Sequence, residues 1–522
     1  MQLRDYTFLG GTQSLCPDCL EVVPAKIIER AGRVYFRKRC PEHGTREDFV
    51  CSDVKWFDRH EFSVPGRIPP VMGVEPRRGC PYDCGLCTEH EQHTCIGLLE
   101  ITSSCNLTCP MCFAGSAPGG THLTLEECKA AIDRLVEVEG RAEVLQLSGG
   151  EPTIHPQFLD VLDYACGHEI DVVMINTNAI RFARDEAFVE AVAALRDRLE
   201  VYFQLDAVSP ADSANMREDP VHLALRGEPL LETKLKALER LREAGIRVTL
   251  VATLQSGLNE DQIGPLVDFA LTQPHITGVS FQPATYSGRY YLPEELAGRV
   301  TFPDVIKGVA ATASFAESDF LPLPCAHPNA HALAYAYREG ETAIPLTQFI
   351  NAAEHIDLLA GGITFNRQRG RELVQEVISR QCGCGGDCAT VPASNNESAQ
   401  ELYSISASGN SMIGPAGEKK KPADSIKPQL PQLAERFFRR AIAEDLSPTD
   451  VFRITITSFM DAYNFDIRQL MKSCVHHVLP SGHLIPFSAY NVLYRDGHVP
   501  LPPLDRPAKR KGTPRPLIAA AH

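Results

Sequence analysis

Between Ile96 and Pro283 short apolar runs alternate with amphipathic segments, and that rhythm restricts the fold more than any other feature of the 522 residues. IGLLEIT (96–102), EVLQLS (143–148), DVVMINTN (171–178), VYFQLD (201–206), RVTLVAT (247–253) and GVSFQP (278–283) read as strands. LTLEECKAAIDRLVEV (123–138) and LLETKLKALERLREAG (230–245) read as helices, with Leu125, Cys128, Ile132, Leu135 and Val136 on one face of the first. Cys128, and Cys166 within FLDVLDYAC, therefore read as core thiols. Strands alternating with helices imply a parallel sheet with right-handed crossovers. Six such units make an α/β fold, a partial (β/α)6 barrel, with its site expected in the loops at the strands' C-terminal ends.

The chain carries 18 cysteines and a net charge of −15. The charge argues against broad binding to nucleic acid. The opening MQLRDYTFLGGTQS lacks the apolar core of a signal peptide, and no run of about 18 apolar residues occurs. A cytoplasmic protein is expected, touching a membrane at most peripherally. In a reducing compartment, clustered cysteines point to metal rather than disulfides.

The cysteines fall into four groups. LCPDC (Cys16, Cys19) and KRCPEHG (Cys40, His43) have the spacing of two knuckles closing on one tetrahedral iron or zinc, with Cys51 a rival fourth ligand. EVVPAKIIERAGRVYFRK between them reads as two strands about a turn at Ala31-Gly32. Cys80, Cys84, Cys87 and Cys105, Cys109, Cys112 repeat one pattern, C-x3-C-x2-C. The second triplet directly follows the strand 96–102, whereas the first follows polar, turn-rich GVEPRRG. The strand 143–148 ends in GGEP, where glycines allow close approach of a ligand to the backbone. Cys95 or the distant Cys325 can close the first triplet to four thiolates. Cys382, Cys384 and Cys388 form a fourth group in glycine-rich RQCGCGGDC, with Cys325 or Cys474 as its completing thiolate. His476 and His477 are weak metal candidates.

CNLTCPMC followed by GGEP resembles the radical S-adenosylmethionine (radical SAM) superfamily. The resemblance implies that Cys105, Cys109 and Cys112 hold three irons of a [4Fe–4S] cluster. Its fourth iron stays open to the amino and carboxylate groups of S-adenosylmethionine, which is cleaved to a 5′-deoxyadenosyl radical. It further implies that Gly149, Gly150 and Glu151 line the methionine amino group. Asn176, Asn178, Gln204, Asp206 and Thr253, at later strand ends, are expected near the ribose or carboxylate. The knuckles, GCPYDCGLCTEHEQHT and FMDAYNFDIRQLMKSCVHHVLPSGHLIPFSAYNVLYR together resemble the subfamily of tetraether lipid synthases, whose relatives include pterin C-methylating enzymes. That likeness implies one or two auxiliary [4Fe–4S] clusters and a mononuclear metal in a rubredoxin- or zinc-ribbon-like lobe. Ser488 stands where relatives often carry cysteine.

These readings divide the chain into a knuckle lobe (1–60), an auxiliary segment (61–95), the barrel (96–300) and a cluster-bearing extension (301–389). A polar linker (390–428), a structured C-terminal region (429–505) and a basic tail (506–522) follow. The expected activity is hydrogen abstraction from an unactivated sp3 carbon to join lipid hydrocarbon chains, or alternatively C-methylation of a pterin precursor; an iron–sulfur electron carrier is the non-enzymatic alternative. A small-molecule or lipid substrate is expected, with an electron donor such as flavodoxin or ferredoxin and no nucleic acid. The apolar stretches 305–315 and 349–363 read as core helices or, less simply, as walls for a lipid.

Overall fold

A computed structural model describes residues 4–208, 219–312, 314–340, 342–351, 354–359, 371–372, 374–376, 430–443 and 445–504. The linker 390–428 and the tail 506–522 lie outside these residues, as do Cys382, Cys384 and Cys388.

The N-terminal lobe is an antiparallel meander of four strands in sequential order, β1 (Thr7–Leu15), β2 (Val22–Arg30), β3 (Arg33–Cys40) and β4 (Gly44–Cys51). Ala31 and Gly32 both take positive φ, 52° and 79°, as a two-residue hairpin turn with right-handed strand twist requires. The sequence reading had only the central pair. The outer strands escaped it because β1, with Gly10, Gly11 and mostly exposed side chains, carries little hydrophobic signal.

The six expected strands form one parallel run. They are β5 (Ile96–Thr102), β6 (Ala142–Gly149), β7 (Ile170–Thr177), β8 (Leu199–Gln204), β9 (Val248–Leu254) and β10 (Ile276–Pro283). β6 is buried along nearly its whole length, as befits a strand covered on both faces. Helix α1 (Leu125–Glu139) starts at a capping box in which Thr124 and Glu127 satisfy each other's amides. It buries Cys128, Ala131, Ile132, Leu135 and Val138 against the sheet. Cys166 lies in the same core. The stretch from 305 supplies Val305, Ile306 and Val309 to that core from the helix Phe302–Ala310, so it is packing and not a ligand wall. Phe349 and Ile350 pack against the helix Leu430–Ile442 in a second, smaller core.

The region 429–505 is not a separate body. Its strand β14 (Val451–Thr457) pairs in parallel with β10, and β15 (Val475–Val478) pairs in parallel with β5. The last part of the chain thus flanks both edges of the barrel. β11 (Leu321–Pro322), β12 (His331–Glu339) and β13 (Thr342–Pro345) extend the sheet beyond β14, and β16 (Leu484–Pro486) ends it beyond β15. Strand order is invisible to periodicity, which is why the sequence reading split this region off. No helix among the described residues is long and apolar enough to cross a membrane.

The N-terminal lobe is pinned to this frame by a buried ion pair. Lys38 Nζ lies 3.0 Å from Asp48 and donates to the carbonyls of Ala462 (2.9 Å) and Tyr463 (2.7 Å). Beside it, buried Asp461 pairs with Arg299 at 2.6 Å and accepts the Tyr286 amide. Removing one partner of a buried pair leaves the other uncompensated, at a cost of about 3 kcal/mol or more. Lys38→Ala is therefore expected to speed native-state proteolysis between lobe and barrel, while Arg37→Ala on the same strand leaves the rate unchanged.

Candidate functional site: a cysteine loop over a cavity

Cys105, Cys109 and Cys112 occupy the loop after β5, at the C-terminal end of the barrel, and line a cavity there. The loop is held by the chain itself. Arg289, from the segment after β10, donates Nε to the Cys109 carbonyl (3.0 Å) and Nη1 to that of Gly115 (2.7 Å), with Nη2 on Ser116. Its own backbone exchanges two 2.9 Å hydrogen bonds with Cys112. Burial pushes the Cys105 thiol up to about 12 and that of Cys109 upward as well, so thiolates persist here only beside a cation.

Gly149 and Gly150 line the same cavity, but the reason for glycine is backbone contact. A Cβ on Gly149 would stand 2.1 Å from the Thr102 carbonyl oxygen, and one on Gly150 2.1 Å from that of Ser104. The Gly150 and Glu151 amides donate to those two carbonyls at 2.8 and 3.0 Å. The end of β6 is thus zipped onto the start of the cysteine loop. Glu151 is turned away from the cavity. Its buried carboxylate accepts from Thr153 Oγ1 (2.6 Å), Thr177 Oγ1 (2.7 Å) and the Asn178 amide (2.8 Å), tying β6 to β7. Burial pushes its pKa up.

Asn176, Asn178, Gln204 and Thr253 border the cavity. Asn178 Nδ2 donates to Asn106 in the cysteine loop at 2.7 Å. Asp206 does not reach it. It is fully buried beneath Arg226, which grips both carboxylate oxygens at 2.6 and 2.7 Å and reaches Thr253 Oγ1 at 3.0 Å. Arg226, at the end of the helix Pro220–Arg226, is the cation on the cavity wall, and the sequence reading missed it because HLALRGEP carries no motif. Lys234 is buried below, donating to the Asn178 and Gln204 carbonyls; burial pushes its ammonium down to about 8 against the pull of Asp206. Phe459 and Phe487, also missed, complete the wall from the segments that flank the barrel.

Among the described residues, nine other cysteines gather in three assemblies. Cys16, Cys19, Cys40 and His43 bring four ligand atoms within 4.8 Å of one another, the compactness a single tetrahedral ion needs. Cys51 is not part of that set. It is buried between lobe and barrel, its Sγ 3.4 Å from the Asp53 carbonyl, with burial pushing the thiol up to about 12. Cys80, Cys84 and Cys87 share a loop capped by Asp83, whose carboxylate accepts the Arg77 (2.7 Å), Arg78 and Gly79 (2.8 Å) amides. The neighbouring Cys84 thiol, with burial, pushes the Cys80 thiol well up, and both side chains pack against Leu15 and Leu20 beside the first knuckle.

Cys95 does not join that triplet. It is buried with Cys325, the other candidate for that triplet and one for the fourth group, and with Cys474, a candidate for the fourth group, and its thiol faces both of theirs. His93 Nε2 lies 3.5 Å from Cys95 Sγ and His331 Nε2 3.7 Å from Cys474 Sγ. The three come from distant segments that the sheet edges bring together, a juxtaposition that spacing along the chain does not encode. His476 and His477 are buried beside them in β15, and His476 Nε2 meets His90 Nε2 at 3.1 Å.

Among the described residues one further group, Asp58, His60 and His327, brings three ligating atoms within 4.8 Å. Its side chains are not hydrogen-bonded to one another, for the His60 and His327 Nε2 atoms stand 4.0 and 3.9 Å from the Asp58 carboxylate. Asp58 already accepts from Arg468 and Asn329, and the Asn329 amide donates to His327 Nδ1, which leaves the ring proton on Nε2.

Residues 99–270 match the Radical SAM superfamily and residues 8–52 the HMPTM N-terminal zinc ribbon domain. The 7,8-dihydro-6-hydroxymethylpterin dimethyltransferase of Methanocaldococcus jannaschii is 29% identical over 520 residues, covering 93% of this chain and 94% of that protein. The mycofactocin maturase MftC of Mycolicibacterium smegmatis is 29% identical over 165 residues, 31% of this chain and 38% of its own. Among solved structures, a radical SAM methyltransferase from Sphaerobacter thermophilus is 15% identical with a TM-score of 0.29, covering 59% of this chain and 75% of its own.

Two outcomes are expected from substitution. Gly150→Ala forces the cysteine loop off β6 and lowers iron and sulfide per chain. Cys40→Ser loses the N-terminal metal while Cys51→Ser keeps it, read by elemental analysis of the purified protein.

Proposed function

We propose that this chain, a radical SAM enzyme with an N-terminal zinc ribbon, adds methyl groups to carbon of a small nitrogen heterocycle of the pterin type. The observation that carries the reading is the cysteine loop clamped over a cavity whose walls offer a buried cation and several amide and hydroxyl groups. The pterin-methylating relative, alike over nearly the whole chain, supports the substrate class. Joining of lipid chains, the first expectation from sequence, stands second, because the amide side chains of Asn176, Asn178, Gln204 and Gln282 and the Arg226 guanidinium on the wall suit a hydrogen-bonding ring better than an alkyl chain.

Cys105, Cys109 and Cys112 hold the [4Fe–4S] cluster in this reading, leaving one iron for S-adenosylmethionine. Cluster and S-adenosylmethionine together supply a 5′-deoxyadenosyl radical that takes hydrogen from carbon. Arg226, locked flat by Asp206 and Thr253, presents its guanidinium to the methionine carboxylate. Gly149 and Gly150 offer backbone to the amino group, while Glu151 holds that strand end in register. Gln204 and Asn178 remain for the ribose. Lys234 keeps the Asn178 and Gln204 carbonyls in place beneath.

Cys80, Cys84 and Cys87 hold one auxiliary cluster, and Cys95, Cys325 and Cys474 a second. Cys382, Cys384 and Cys388 remain candidates for completing either. A cytoplasmic setting with a flavodoxin or ferredoxin as reductant suits such a protein.

Anaerobic protein with dithionite and S-adenosylmethionine is expected to form 5′-deoxyadenosine, and Cys105→Ala to abolish it. Cells expressing the protein are expected to accumulate methylated pterins with unchanged lipids, and Cys80→Ala or Cys474→Ala to cut those pterins at least tenfold while 5′-deoxyadenosine formation persists. Cross-linked lipid chains with unaltered pterins would sink the reading.

A further inference from the structure

The cavity carries two kinds of wall that S-adenosylmethionine does not explain. One is aromatic. Phe459 and Phe487 stack with ring centroids 3.8 Å apart at 26°, and Phe113 meets Phe487 at 5.0 Å. Phe459 sits in the loop after β14 and Phe487 opens the short helix Phe487–Ala489 after β16, strands at opposite flanks of the barrel, so the pair bridges the barrel's open side. Behind it His477 lies nearly parallel to Phe487, at 5.2 Å and 19°, which fixes that ring in place.

The other wall is a row of neutral hydrogen-bonding groups on the barrel strands. Gln282 on β10 donates Nε2 to Tyr202 Oη at 3.2 Å, and Tyr202 donates to Ser280 Oγ at 2.6 Å. That chain fixes the Gln282 amide and leaves its Oε1 toward the cavity without a donor among the described residues. Asn176 is fixed likewise, since Nδ2 donates to Ser148 Oγ at 3.1 Å and Oδ1 is left over. Two preoriented acceptors beside stacked rings match a flat, uncharged, N–H-rich ring, whose faces stack and whose edge donates. An alkyl chain would leave both acceptors desolvated and unpaired, which costs free energy.

Resting on the pterin-type reading and refining it, we infer that Phe459 and Phe487, with Gln282 and Asn176, are the specificity-determining subsite for the substrate ring. Phe459, half-buried at the cavity edge, supplies the exposed stacking face. Gln282 selects against rings that lack an edge donor, because an unmet buried acceptor penalises binding more than a lost contact does.

The test uses the iron-loaded full chain under anaerobic conditions and follows binding of 7,8-dihydro-6-hydroxymethylpterin by its fluorescence, with guanosine and palmitate as comparison ligands. Wild type is expected to bind the pterin and not palmitate. Phe459→Leu and Gln282→Leu are each expected to weaken pterin binding about tenfold, about the worth of one lost stacking or hydrogen-bonding contact. Phe459→Tyr, which keeps the ring, is expected to restore it. Iron content equal to wild type excludes a folding defect as the cause. Unchanged pterin affinity in both leucine variants overturns the subsite and leaves the pterin reading standing. Binding of guanosine in place of pterin, lost in both variants, supports the subsite and overturns the pterin reading. Palmitate as the bound ligand overturns both.

Discussion

Two backbones pressed together at Thr102–Ser104 and Gly149–Gly150 are the contact on which the site depends. Neither chain can retreat. The glycine side has no room for a Cβ, and its amides are spent on the carbonyls at the root of the cysteine loop. Everything that orients Cys105, Cys109 and Cys112 follows from that zip. Arg289 clamps the far end of the loop, Asn178 holds Asn106 in its middle, and Glu151 locks β6 to β7 from below. The carboxylate of GGEP is a brace, so the motif serves the geometry of the loop.

The same division of labour runs through the polar layer under the cavity. Arg226 lines the cavity and Asp206 faces Arg226; Lys234 donates to carbonyls. Buried charges in this layer are paired or fully hydrogen-bonded, as low dielectric demands. The cavity thus presents one cation and a set of neutral acceptors with little freedom to rearrange, which is how a site avoids reorganisation while a reactive species is present.

Much of this was legible in the order of residues. All six barrel strands lie within two residues of their expected bounds, because a parallel strand buried on both faces is a continuous apolar run bounded by turns. The knuckle pairs and the C-x3-C-x2-C loops are local, so spacing alone revealed them. What spacing cannot carry is contact between distant segments. Cys95, Cys325 and Cys474 meet only because β15 pairs with β5 and β14 lies between β10 and β12. Phe459 and Phe487 enter the cavity for the same reason. Arg226 is one arginine among many until Asp206 is seen beneath it.

The placement of β14 and β15 bears on how the molecule is made. A polypeptide leaves the ribosome amino end first, so the knuckles, both C-x3-C-x2-C loops and six barrel strands emerge before residue 451. Until then both edges of the sheet lie bare and the cavity lacks Phe459 and Phe487. An assembly factor bearing iron and sulfide would find the thiols of the nascent barrel open to it, and would find them walled in once synthesis ends.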